Sequence, residues 1–166
     1  MKKEKIFLAA AAMICAAAVC VMIYVIISTV HLENQQKFIP PAFEKQVQTG
    51  MPQPSEDLGY TTVTVAEGYE IGLCSNPTMS DAELQVWFTS PDTNQVWMRL
   101  QVCDSDGEVL GETGVIRPGE YVETIQLARQ VKSGEEAVFR ITGYTPETWH
   151  SAGNAELPLT LYGYSG

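Results

Sequence analysis

Leu84-Gln85-Val86-Trp87-Phe88-Thr89-Ser90, a break at Pro91–Gln95, then Val96-Trp97-Met98-Arg99-Leu100-Gln101-Val102-Cys103-Asp104: on both sides of the break the side chains alternate. A period of two marks a half-buried strand, because successive side chains leave opposite faces of a pleated chain. Leu84, Val86 and Phe88 share one face, and Val96, Met98, Leu100 and Val102 share another. Those faces are expected to form the core. The opposite faces carry Gln85, Trp87, Trp97, Arg99 and Gln101. A hairpin closed over Pro91–Gln95 sets Trp87 opposite Arg99 and Trp97 opposite Thr89. Two outward tryptophans beside an arginine make a contact platform for a protein partner or a sugar ring. Trp87, Trp97, Arg99, Gln85 and Gln101 are therefore the expected binding residues. The competing reading is that the linker or a neighbouring strand covers the tryptophans, and a one-residue slip would exchange the faces.

Outward from that pair the same grammar continues. Tyr60–Val65, Tyr69–Cys74, Glu108–Gly111, Tyr121–Leu127, Glu136–Tyr144 and Leu157–Tyr162 read as further strands. They are separated by turn signals at Ser105-Asp106-Gly107, Arg117-Pro118-Gly119 and Lys132-Ser133-Gly134. Beyond Val30 no apolar pattern holds a helical spacing over ten residues. The fold class predicted for residues 60–166 is all-β, one antiparallel sandwich of seven or eight strands.

Before the domain the composition changes twice. Residues 31–59, with Pro40, Pro41, Pro52 and Pro54, read as an extended linker. Phe38, Ile39 and Phe43 within it would rest on lipid or dock on the domain. Ile6–Val30 is an uncharged run of 25 residues. As a helix it reaches about 37 Å, enough to cross a bilayer with some tilt. Lys2, Lys3 and Lys5 precede it, which predicts a cytoplasmic tail at residues 1–5 and an extracytoplasmic domain. The competing reading is a cleaved signal peptide, whose apolar region is shorter, about 7–15 residues. No small-x-small site closes this run.

The net charge is −10 over 166 residues, and after Val30 only 7 cationic side chains face 19 acidic ones. So acidic a domain repels phosphate backbones, and no nucleic-acid partner is expected. Asp104, Asp106 and Glu108 alternate like part of a calcium loop. However, Gly107 stands fourth in it and Val115 occupies the twelfth place. A hairpin turn explains Asp-Gly better. His31 and His150 lack partners at zinc-ligand spacing, and no glycine-rich phosphate loop occurs. No metal, cofactor or catalysis is expected. Cys74 and Cys103, outside the cytoplasm on this topology, are open to a disulfide. The hairpin register opposes that bond, since it sets Cys103 opposite Glu83.

From Tyr69 onward several local motifs recur together. They are Asn76-Pro77 before a strand, Asp106-Gly107-Glu108-Val109-Leu110 at a hairpin and Gly114-Val115-Ile116-Arg117-Pro118-Gly119. Ile125-Gln126-Leu127 and Ser133-Gly134-Glu135 before Ala137-Val138-Phe139 complete them. In this the chain resembles small membrane-anchored proteins of Gram-positive gut bacteria that carry one Ig-like or fibronectin-type sandwich. The motifs are turns and core positions, so the resemblance implies fold and a surface or envelope setting, with no assigned role. A pair of ectodomain cysteines is not part of that pattern. The function expected is a single-pass membrane-anchored binding or envelope-assembly module. Its partners would be lipid through residues 6–30 and an envelope or surface protein. A carbohydrate-binding module using the outward tryptophans is the alternative.

Overall fold

The computed structural model describes residues 18–25 and 38–163. The chain divides into two units, residues 1–39 and 40–166. In the first, residues 18–25 are helical. Among the described residues no helix is long and apolar enough to cross a membrane. Most of the 6–30 segment, and the lysines before it, lie outside the described residues, and the anchor expectation falls there.

The second unit is all-β. Its strands are β1 (Gln48–Thr49), β2 (Tyr60–Thr64), β3 (Glu70–Cys74), β4 (Thr78–Ser80), β5 (Glu83–Thr89), β6 (Trp97–Cys103), β7 (Val109–Glu112), β8 (Glu120–Gln126), β9 (Glu135–Tyr144) and β10 (Ser151–Gly163). A short 3₁₀ helix, Glu56–Leu58, precedes β2. The strands form one curled sheet in the order β1-β8-β5-β4-β10-β9-β6-β7, with β3 joined to β5 and β2 to β3. β10 spans the curl: most of it pairs antiparallel with β9, and its end runs parallel to β4. The sheet folds over one core, giving a sandwich-like body. Leu84, Val86, Phe88, Met98, Leu100, Val102, Phe139 and Ile141 are fully buried within that core. These are the residues whose alternation predicted an inner face. The curl nearly closes at its far side, where Ala128 N–H donates to the Leu110 carbonyl at 2.7 Å.

Two expectations are corrected, and the disulfide left open is not formed. The hairpin across Pro91–Gln95 does not form. β5 pairs with β8, β4 and β3, whereas β6 pairs with β9 and β7. The connection crosses between layers because its ends are tied elsewhere. Ser90 N–H donates to Glu120, and Gly119 N–H donates back to Ser90. Asn94, 5% exposed, exchanges two bonds with the Glu70 backbone: its amide donates to the carbonyl at 2.7 Å and its oxygen accepts from the N–H at 2.9 Å. That side chain takes the place of a strand partner.

The linker is also shorter than predicted, because residues 40–59 belong to the folded unit. Val115 N–H donates to Ala42, Glu44 N–H donates to Val115, and β1 adds to β8. Pro40 and Pro41 stop a helix but do not prevent such an edge contact. Gly114 permits the approach: a Cβ there would stand 2.5 Å from the Glu44 nitrogen.

Finally, Cys74 and Cys103 are separate free thiols, both buried, at the ends of β3 and β6 in opposite layers. Burial, with the Asp57 charge nearby, pushes the Cys74 thiol up to about 11. A thiol so protonated is a poor nucleophile for exchange.

Candidate functional site

The five residues expected to form one platform fall on two layers. Trp97, Arg99 and Gln101 stand on β6, while Gln85 and Trp87 stand on β5. Arg99 forms an ion pair with Glu112 and donates to the Thr113 carbonyl at 3.3 Å. Gln101 donates to the same Glu112 at 2.9 Å. Burial opposes the charge on Glu112, but the Gln101 and Arg99 donors hold its carboxyl below the ordinary range. This cluster satisfies itself.

Trp97 is covered. The Phe43 ring meets it at 4.9 Å and 78°, and Trp149 meets it at 4.9 Å and 62°. Tyr144 and the Arg117 guanidinium, 3.7 Å above Phe43, complete the cluster. The covering element is the former linker, through Phe43. Trp149 sits at φ +59°, a conformation that bulky residues rarely hold without tertiary support. The rings cross at steep angles, so they present no flat platform. The cluster fastens the strap formed by residues 40–50.

Trp87 has a different setting. It faces away from the core, as alternation predicts, but at φ +49° and inside a register shift between Gln85 and Phe88. An extra residue there bends β5 and re-aims the side chain. The Trp87 ring stacks on Tyr121 at 5.9 Å and 18°. The Tyr121 hydroxyl donates to Gln48 at 2.7 Å, and Gln48 donates to Glu123 at 2.6 Å. Gln85 lies exposed between Thr78 and Thr124.

A row of residues crosses this outer face: Thr62, Gly72, Thr89, Tyr121 and Gln48 on five successive strands. Gly72 leaves a floor without a side chain, where a Cβ would strike the Tyr60 hydroxyl. Beside it opens a cleft of about 450 Å³, walled by Met51, Pro52 and Pro91 and rimmed by Glu70 and Asp92. Burial pushes the Tyr60 phenol upward, against a hydrogen bond with Thr89. A second cleft of about 400 Å³ shares Glu70 and Thr93 with the first and adds Thr64 and Glu67. Sizes of a few hundred cubic ångströms suit a side chain or a small ligand.

No family model matches the chain, and no curated protein does. Among solved structures the chain is similar to CopC from Methylosinus trichosporium OB3b. The TM-score is 0.35, with 12% identity over 64% of this chain and 97% of CopC. At that score no residue or role is carried across.

The clefts were not legible in advance, because their walls come from segments far apart in sequence. Among the described residues no three His, Cys, Asp or Glu side chains gather to hold a metal ion. Asp104 instead accepts from the Asp106 and Glu108 N–H groups at 3.0 and 2.9 Å, which closes a turn.

Proposed function

We propose that this protein is a single-pass membrane-anchored recognition module. Its Ig-like domain stands outside the cytoplasm and binds another envelope or surface protein, without catalysis. The observation that carries this is Trp87, partly exposed on the outer face and held there by left-handed backbone inside a strand. A strained, re-aimed aromatic on a rigid sheet is costly to maintain for packing alone. The anchor reading draws support from residues 18–25. Val19, Val21, Met22, Ile23, Tyr24 and Val25 are all more than half exposed, from 51% to 73%, so an apolar surrounding would stabilise them.

A photoreactive amino acid at position 87 in intact membranes tests the reading, with position 109 on β7 as control. A discrete protein crosslinked from 87 alone supports it. A sugar reading rests on the same ring, since Trp87 stacks on Tyr121, whose hydroxyl joins the polar chain Gln48–Glu123, and Gln85 stands two residues before it on β5. Crosslinks to glycan alone would transfer the role to that class, and no crosslink from 87 rejects both. Orientation is read separately, with an impermeant maleimide on Met51→Cys, a position 87% exposed. Labelling only after lysis would overturn the extracytoplasmic placement.

A further inference from the structure

We propose that the edge of β2 receives an extended segment of the partner protein as an added strand, with basic side chains at two alternate positions. The inference deepens the recognition reading above and rests on it.

The first observation is the edge itself. Among the described residues β2 is bonded to β3 alone. Sheet edges in native proteins are usually blunted by charge, proline or brevity. The other edges here follow that rule. β1 has two residues, β7 is short, ends in Glu112 and lies beside the Leu110–Ala128 closure, and the side of β10 away from β9, paired with β4 only at its end, carries Glu156 and Pro158. β2 does not follow it. Tyr60-Thr61-Thr62-Val63-Thr64 has no charge and no proline, and three of its five residues are threonine. A strand of that length offers about 17 Å of free edge.

The second observation is what stands beside the edge. Tyr60 and Thr62 line the first cleft, and Thr64 lines the second. These are alternate residues, so they share one face. An added strand would project every second side chain over the same face, about 6.6–6.8 Å apart. Two successive side chains on that face would therefore meet the two clefts in turn.

The third observation is charge. Glu70 and Asp92 line the first cleft, Glu67 and Glu70 line the second, and neither cleft has a basic residue in its wall. Among the described residues none of the three acids is in an ion pair. Among the described residues the Glu70 carboxylate accepts a side-chain bond from Thr93 alone, a long one at 3.4 Å. Lysine or arginine suits both clefts: in the first the stem would lie along Met51, Pro52 and Pro91, in the second along Tyr69 and Val96, with the charged head at the acids. A second copy of this domain fits poorly. Its own β2 supplies no basic side chain, and two acidic bodies repel.

The test uses the full-length chain and three synthetic probes. One is an acetylated, amidated heptapeptide, Val-Thr-Lys-Val-Lys-Thr-Val. The second has glutamate at both lysine positions. The third has the lysines adjacent. Hydrogen exchange of residues 60–64 is the readout. With the alternating lysine peptide at saturation, exchange there should slow by about tenfold or more. The glutamate peptide should give no slowing, and the adjacent-lysine peptide should bind at least about fivefold more weakly. Glu70→Gln with Asp92→Asn should weaken the alternating peptide by about tenfold. No protection by the alternating peptide, or equal protection by the glutamate peptide, overturns the proposal. Crosslinking from position 87 without any protection of β2 leaves the recognition reading standing and removes this one. Failure of both removes both.

Discussion

Phe43 meets Trp97 edge-on, with ring centroids 4.9 Å apart and planes at 78°. One residue comes from a segment that reads as a tether, the other from a core strand. Trp149 closes on both, at 5.4 Å from Phe43 and 4.9 Å from Trp97. Edge-to-face pairs each contribute about 0.5–1.5 kcal/mol beyond area burial.

Phe43→Ala should therefore destabilise the domain by about 2–3 kcal/mol, from lost ring contacts and lost burial. Chemical denaturation measures the loss, and tryptophan emission should shift red as Trp97 and Trp149 become wetted. A change below about 0.5 kcal/mol, the range of ordinary surface substitutions, would show that the strap is not held by this ring.

Docking of the strap should weaken in acid. Burial opposes the Glu44 charge, yet the N–H donors of Gln46, Gly114 and Lys45, with the Lys45 charge, hold its carboxyl below the ordinary range. A depressed carboxylate contributes stability that is present above its ordinary value and is lost as pH falls through its folded value. Exchange at residues 42–46 should accelerate on acidification through that window. Glu44→Gln should raise exchange at neutral pH and flatten the profile, and identical profiles in both proteins would reject the link.

Cys74 and Cys103 should both be counted as free thiols once the domain is unfolded. In a chain carrying Cys15→Ser and Cys20→Ser, an aromatic disulfide reagent at pH 8 should leave the native domain unlabelled. Burial withholds both groups, and Cys74 stays protonated up to about 11. Denaturation should release two equivalents. A mass two hydrogens lighter, with no labelling after denaturation, would establish a bond and refute this arrangement.

Trp87 should separate strain from contact. Its φ of +49° is open to glycine and asparagine but hard for a β-branched residue. Trp87→Asn should therefore be more stable than Trp87→Val by about 1–2 kcal/mol, although both lose the ring over Tyr121. Equal melting curves would mean that the bulge relaxes and stores no strain. Both variants should lose the partner.

Local signals in the sequence determined most of the strands and the inner face. Period-two alternation is a short-range property of the chain, and it survives because apolar side chains must leave water whichever strand lies opposite. That is why Leu84 to Val102 and Phe139 to Ile141 are where the pattern put them, and why the turns at Gly107, Gly119 and Gly134 all hold positive φ. Strand partnership was another matter. Asn94 reaches back to Glu70, and Ser90 binds across to Gly119 and Glu120, so β5 and β6 part into different layers. Hydrogen bonds between residues more than twenty positions apart leave no trace in a local pattern. The same reason hid the course of the strap, whose prolines read as a tether, although Phe43 was open to docking on the domain and packs edge-on against Trp97. It also hid β4, the first half of β10 and the clefts beside β2. Alternation decides which face of a strand is wet, but only the assembled sheet decides what lies against that face.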